Sequence, residues 1–141
     1  MILQFVSAAE TDIPVIFEQA KNLIDTYEDL SLIDYEKVIA WVNRKISKSI
    51  SQYQCVILNG QKCAYYHLCD DGELDDLYVL PEFQNRGIGT QILKKCIDTS
   101  EKPIYLYVFS HNTRAIAFYE RFGFGFCETV GKTRYIMSRK G

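Results

Sequence analysis

Positive charge is not in excess in this chain: 16 Lys and Arg stand against 18 Asp and Glu, for a net charge of −2. Domains that hold nucleic acid by neutralising phosphates are usually strongly basic, so no nucleic-acid partner is expected. No apolar run approaches the roughly 20 residues that cross a bilayer, which leaves no membrane partner either. The stretch Met1 to Val6 lacks a basic region and soon meets Glu10 and Asp12, so it does not read as a secretory signal, and a cytoplasmic protein is expected. There are only two histidines, and the five cysteines (Cys55, Cys63, Cys69, Cys96 and Cys127) show neither CxxC nor His-paired spacing. No metal site is expected, and the thiols read as reduced, mostly buried small hydrophobes.

What is present is ordinary for a globular protein: 141 residues, 48% hydrophobic and 24% charged. That is most simply one domain over residues 1–141, large enough to bury a core. Ile2 to Ser7 reads as a strand. Thr11-Asp12 offers an N-cap, and Pro14 suits a first helical turn. Ile13, Ile16, Phe17, Ala20, Leu23, Ile24 and Tyr27 then mark one helix face. Tyr35, Val38, Ile39, Val42 and Ile46 mark a second helix, starting near Asp34. Between them, Glu28 to Ile33 is irregular yet carries apolar side chains, either to pack the core or to wall a cleft.

Gln54–Leu58 and Gln61–Cys69 flank Asn59-Gly60, a two-residue hairpin signal. Asp70-Asp71-Gly72 turns the chain into a third strand, Glu73–Leu80. A helix over 87–98 is broken by Lys102-Pro103 and followed by the strand Ile104–Phe109, a crossover that predicts two parallel neighbours. Asn112 can cap a helix bearing Ala115, Phe118, Tyr119 and Phe122, with Gly123 placed to end it. Gly125–Thr129 and Thr133–Ser138 close the chain as an antiparallel pair. The order β-α-α-β-β-β-α-β-α-β-β predicts an α+β fold with a mixed sheet.

Between the third strand and its helix lies Gln84-Asn85-Arg86-Gly87-Ile88-Gly89-Thr90. Strand, glycine loop and helix N-terminus make a seat for an anion. A dinucleotide fingerprint would need a small residue where Ile92 stands, and a phosphate loop of the NTPase kind would need a lysine after Gly89, where Thr90 stands. Both readings fail. A pyrophosphate seat remains, with charge from Arg86 and donors from the amides of Gly87 to Thr90.

Gln84-x-x-Gly87-x-Gly89 resembles the Q/R-x-x-G-x-G/A signature of the GCN5-related N-acetyltransferase (GNAT) family, and Leu77 to Phe83 resembles the strand before it. Asn112-x-Arg114-Ala115-x-x-Phe118-Tyr119-Glu120-x-x-Gly123-Phe124 resembles the family's second signature. The element order matches the acyl-CoA N-acyltransferase fold over essentially the whole chain. The resemblance implies an N-acetyltransferase that moves an acetyl group from acetyl-CoA, its cosubstrate, to a primary amine by direct attack in a ternary complex. The amine would be a small molecule or a peptide. A non-catalytic acyl-CoA-binding module of the same fold is the alternative.

The resemblance also implies where the cofactor lies. Backbone groups of Leu77, Tyr78 and Val79 would pair with the pantetheine arm. Gln84, Asn85, Arg86, Gly87, Ile88, Gly89 and Thr90 would hold the pyrophosphate, with Asn112 and Phe118 contacting the cofactor from the next helix. In the family, the tyrosine at the position of Tyr119 protonates the leaving thiolate. The amine must lose a proton, and Glu73 is the first candidate base. Asp75 shares its strand face; Asp76 points the other way unless a bulge intervenes. Asp70, Asp71, Glu73, Asp75 and Asp76 either include the base or are only a solvated, acidic strand end, and on both readings they would attract a cationic amine. His111 receives no role. The ten tyrosines could line a dimer face or a substrate pocket, so a homodimer stays open.

Overall fold

The computed structural model describes Met1–Lys140. Its elements are β1 (Leu3–Ser7), α1 (Ile13–Tyr27), α2 (Tyr35–Ser49), β2 (Gln54–Leu58), β3 (Gln61–Leu68), β4 (Leu74–Val79), α3 (Ile88–Thr99), β5 (Tyr105–Phe109), α4 (Thr113–Glu120), β6 (Phe124–Val130) and β7 (Arg134–Arg139). This is the expected α+β order. Asn59 (φ 52°) and Gly60 (φ 79°) both take positive φ, as the tight turn between β2 and β3 requires. No helix among the described residues is long and apolar enough to cross a membrane.

Strand alternation in β2 and β3 divides the core in two. On one face Tyr53, Cys55 and Tyr65 pack against Ile16, Ala20 and Ile24 of α1 and Val42 and Ile46 of α2. On the other face Val56, Ala64 and Tyr66 pack against Ile88, Ile92, Leu93 and Cys96 of α3. Buried Asp12 fastens the start of α1 to the sheet. It accepts from the Ala9 N–H at 2.8 Å, from Lys62 Nζ at 2.9 Å and from the Tyr65 hydroxyl at 2.7 Å. Although burial works against its charge, these donors hold its carboxyl below the usual range. The sequence offered Thr11-Asp12 as an N-cap; Asp12 stands at that position but makes no side-chain cap bond to α1, its carboxylate being committed to this tie to β3. Cys55, Cys63 and Cys96 are buried as expected, while Cys69 is half-buried and Cys127 exposed.

The strands form two antiparallel sheets, β1-β2-β3-β4 and β5-β7-β6. The parallel neighbours expected from the crossover meet at a single bridge, Glu73 to Tyr105. Tyr105 N–H donates to the Gly72 carbonyl at 3.1 Å there. Beyond it, β4 continues pairing with β3 as far as Val79, and β5 continues with β7 as far as Phe109. Neither pairs with the other, so the two strand edges part.

Gly72 makes this junction tight. Its φ is +101°, and a Cβ would lie 2.3 Å from the carbonyl oxygen of Pro103, a backbone atom that cannot swing away. Gly72→Ala should therefore cost at least about 1–3 kcal/mol of stability, the range for a strained backbone position. Urea denaturation checks this: a midpoint equal to that of the unsubstituted chain would contradict it.

Candidate active site

A bulge at the start of β4 shapes the acidic end of the gap. His67 pairs with Asp76, but the next residue of β3, Leu68, pairs with Leu74, so Asp75 is the extra residue on β4. His67 follows Tyr65 on the α1/α2 face, and Asp76 lies opposite His67 on that same face. Asp75 turns there as well, reaching Lys45 of α2 and His67. The bulge thus gathers on one face two carboxylates that alternation alone would send to opposite faces.

These acids sit in different electrostatic settings. Asp75 accepts from Lys45 Nζ at 2.5 Å and faces His67 Nδ1 at 3.1 Å. Burial raises its pKa, yet His67 and Lys45 outweigh burial and hold it below the usual carboxylate range. Asp76 accepts from the hydroxyls of Tyr53 and Tyr78, but burial, and then the charge of Asp75, push it up. Glu73 is pushed up by burial and then by Asp75. Its side chain has no hydrogen-bond partner among the described residues. Of the two candidate bases read from the sequence, Glu73 is the free and more basic one. Asp75 is engaged and acidic.

His67 also lies 3.1 Å from Gln52 Oε1 and 3.7 Å from Cys69 Sγ. Cys69, His67 and Asp75 therefore follow the order nucleophile, base, orienter. Electrostatics speaks against that use. Burial, followed by the charges of Asp75, Glu73 and Asp71, pushes the Cys69 thiol up to about 11, whereas a nucleophilic thiol needs a depressed pKa.

At the far end of β4, Gln84 folds back, its side-chain amide donating to the Val79 carbonyl at 3.0 Å. Asn85 takes φ +64° and Gly87 φ +81°, and α3 starts with no side-chain cap. Gln91 N–H bonds to the Gly87 carbonyl at 3.2 Å, which leaves the amides of Ile88, Gly89 and Thr90 as the unpaired donors of a helix N-terminus. Arg86 lies over the Phe83 ring, 5.4 Å from its centroid. Gly89 meets Phe118 and Val79: a Cβ there would lie 3.6 Å and 3.7 Å from them, ordinary contact. A methyl would fit, in keeping with a signature that reads G/A at this position. Gly87, with its left-handed φ, is the glycine the loop needs.

Helix α4 supplies the opposite wall. Asn112 caps it, its Oδ1 accepting from Ala115 N–H at 3.1 Å. Arg114 donates to Asn85 Oδ1, tying α4 to the glycine loop. Tyr119 packs edge-on against Phe118 and Phe124. Burial first, then Cys96 and Asp76, raise its phenol pKa, so the hydroxyl stays protonated at neutral pH. That hydroxyl has no partner among the described residues. Tyr27, ending α1, stacks on Phe109 at the end of β5 with centroids 6.5 Å apart. Leu30 and Leu32 of the connecting segment are exposed, not packed into the core. Two surface cavities of about 490 and 350 Å³ contain neither the acidic residues nor the glycine loop.

The sequence-read residues thus occupy three places: Glu73 and Asp75 on the bulged strand end, Leu77, Tyr78 and Val79 along the parting edge of β4, and Gln84 to Thr90 with Asn112, Phe118 and Tyr119 around the starts of α3 and α4. Lys45, His67, Asp76 and Arg114 were missed as site residues. Arg114 lay inside a quoted motif. The other three come together only through the bulge and the packing of α2.

Comparison with known proteins bears on the family and the fold. The chain matches the Acetyltransferase (GNAT) family over residues 28–124. It is 39% identical over 62 residues to an uncharacterized N-acetyltransferase of Methanocaldococcus jannaschii, covering 41% of this chain and 27% of that protein. It is 38% identical over 58 residues to the spermine/spermidine N(1)-acetyltransferase of Bacillus subtilis, covering 38% of each. Both matches span well under half of those relatives. The crystal structure of the PaiA N-acetyltransferase from Thermoplasma acidophilum, in complex with coenzyme A, superposes with a TM-score of 0.74 at 19% identity over the full length of both chains. The likeness to that structure is one of fold. The family match covers most of the chain, and acetyl-CoA is the family's cosubstrate. This chain is a member of the GNAT family of acetyltransferases.

Proposed function

We propose that the chain transfers an acetyl group from acetyl-CoA to a primary amine by direct attack in a ternary complex. The observation that carries this reading is the parting of β4 from β5 after one bridge, with the uncapped start of α3 at one end of the gap and a free carboxylate at the other. Both facing edges carry unpaired backbone groups, which an extended amide-bearing arm can satisfy. Leu77 offers both its backbone groups and Val79 its N–H to the pantetheine arm; the Val79 carbonyl already accepts from Gln84, and Tyr78, in step with Leu80 whose N–H bonds to the Cys63 carbonyl, turns its own towards β3. The amides of Ile88, Gly89 and Thr90, with Arg86 and Arg114 beside them, suit a pyrophosphate. Asn112, already spent as a cap through its oxygen, keeps its amide N–H₂ to donate, and Phe118 supports Gly89 from behind.

Acetyl-CoA supplies the thioester carbonyl and a thiolate leaving group. The chain must then manage two protons. A lysine-like amine of pKa about 10.4 costs roughly 4.6 kcal/mol to deprotonate at pH 7. Glu73, raised by burial and by Asp75, accepts that proton directly or through water. Tyr119, held protonated by burial, donates to the departing sulfur. The raised Cys69 thiol argues against an acyl-cysteine intermediate and supports attack by the amine itself. The acidic face of β4 favours a cationic acceptor.

Turnover is followed by release of free thiol from acetyl-CoA with a panel of amines, and coenzyme A binding by calorimetry. Tyr119→Phe should lower kcat about 100-fold, within the range for a lost general acid, with little change in KM for acetyl-CoA; an unchanged kcat rejects the assignment. Glu73→Gln should lower kcat by a similar factor. In the unsubstituted enzyme kcat/KM should fall as the pH drops through the raised pKa of Glu73, above the usual glutamate value of about 4.3, and that acidic limb should vanish in the variant. Gly87→Ala should weaken coenzyme A binding about tenfold, since a Cβ is strained at φ +81°; equal affinity by calorimetry would count against the pyrophosphate seat. Binding of acetyl-CoA without turnover of any amine would instead favour the non-catalytic module.

A further inference from the structure

Lys45 reaches the acidic strand from α2 and changes what the site can accept. Its Nζ lies 2.5 Å from Asp75 Oδ1, and it sits 5.8 Å from the centroid of the Trp41 ring. The other oxygen of Asp75 faces His67 Nδ1. Both oxygens of Asp76 are occupied by the Tyr53 and Tyr78 hydroxyls. Glu73 is the one carboxylate of the three without a hydrogen-bond partner for its side chain among the described residues. Asp75 is only 9% exposed and Lys45 32%, so this pair is shielded and not a loose surface contact.

A desolvated ammonium needs a carboxylate of its own. Glu73 can take one. Towards α2, a second ammonium a few carbons away would meet a carboxylate already neutralised and the like charge of Lys45; towards the β3–β4 turn it would meet Asp71, within 4.8 Å of Glu73, whose two oxygens already accept from the Glu73 N–H and the Tyr105 hydroxyl. We propose that Lys45 is a resident counter-ion that selects acceptors with a single ammonium group, the end of a monoamine or of a peptide chain, over polyamines. This rests on the acetyl-transfer reading and names its acceptor class. It sets this chain apart from what the name of the Bacillus subtilis relative would suggest.

The test is calorimetric affinity for three probes on the full chain saturated with coenzyme A: n-butylamine, spermidine, and a tetrapeptide with a free N-terminus and no basic side chain. The unsubstituted protein should bind spermidine no more tightly than the better of the two single-ammonium probes, and that better probe shows whether small amines or chain ends are the source. Lys45→Met should tighten spermidine about tenfold, the order expected for removing a nearby like charge, and leave butylamine within twofold. Lys45→Arg should keep the original ratio. Asp75→Asn, which frees Lys45 but keeps its charge, should not tighten spermidine, and it decides the matter if Lys45→Met fails to fold. A tenfold preference for spermidine in the unsubstituted protein, an unchanged ratio in Lys45→Met, tighter spermidine in Asp75→Asn, or no binding of any probe overturns the proposal. The readout is affinity, so amines that bind in the expected ratio without being acetylated would sink the transfer reading alone.

Discussion

The hydrogen bond from Tyr105 to the Gly72 carbonyl is the point on which the site depends. It joins the two sheets once and then lets them part. Were β4 and β5 paired along their length, their edges would satisfy each other and no extended ligand could enter. Were they unjoined, nothing would hold the gap to a fixed width. The close approach of Gly72 to Pro103 leaves no room for a side chain at the junction, where backbone packs against backbone.

The bulge at Asp75 is the second constraint. One extra residue places Asp75 and Asp76 on the same face, where the cost of crowding like charges is met in different ways. Asp75 is ionised between Lys45 and His67. Asp76 is driven towards its protonated form and held by two tyrosine hydroxyls. Glu73, just before the bulge, is left raised and free. This division of roles among neighbouring carboxylates follows from their partners and not from their chemistry, since side chains of one type end up with shifts in opposite directions. Burial, and then the same acidic surroundings, raise the Cys69 thiol, which is why a nucleophile–base–orienter alignment here does not amount to a nucleophile.

Much of the fold was legible along the chain. The helix faces of α1 and α2 appear in the spacing of their apolar residues, and the β2–β3 turn in Asn59-Gly60. The glycine loop and the Asn112 cap were legible because they are local: φ preferences and capping depend on a few consecutive residues. The mixed sheet was legible in order but not in form, since β4 and β5 meet at one bridge and each then pairs with a strand of its own sheet, a choice made between segments distant in sequence. The connecting segment was readable as unusual, and the exposure of Leu30 and Leu32 removes core packing as their explanation.

The sequence by itself determined the family, the strand-loop-helix seat and the residues offered for catalysis, because two motifs with their own local geometry lie in register. Only the tertiary structure decided which of those residues are free to act. Lys45 meets Asp75 across 30 positions, and His67 meets it across a bulge that alternation does not foretell. Charge state in a buried site is set by neighbours in space, and those neighbours come from α2, β3 and β4 at once.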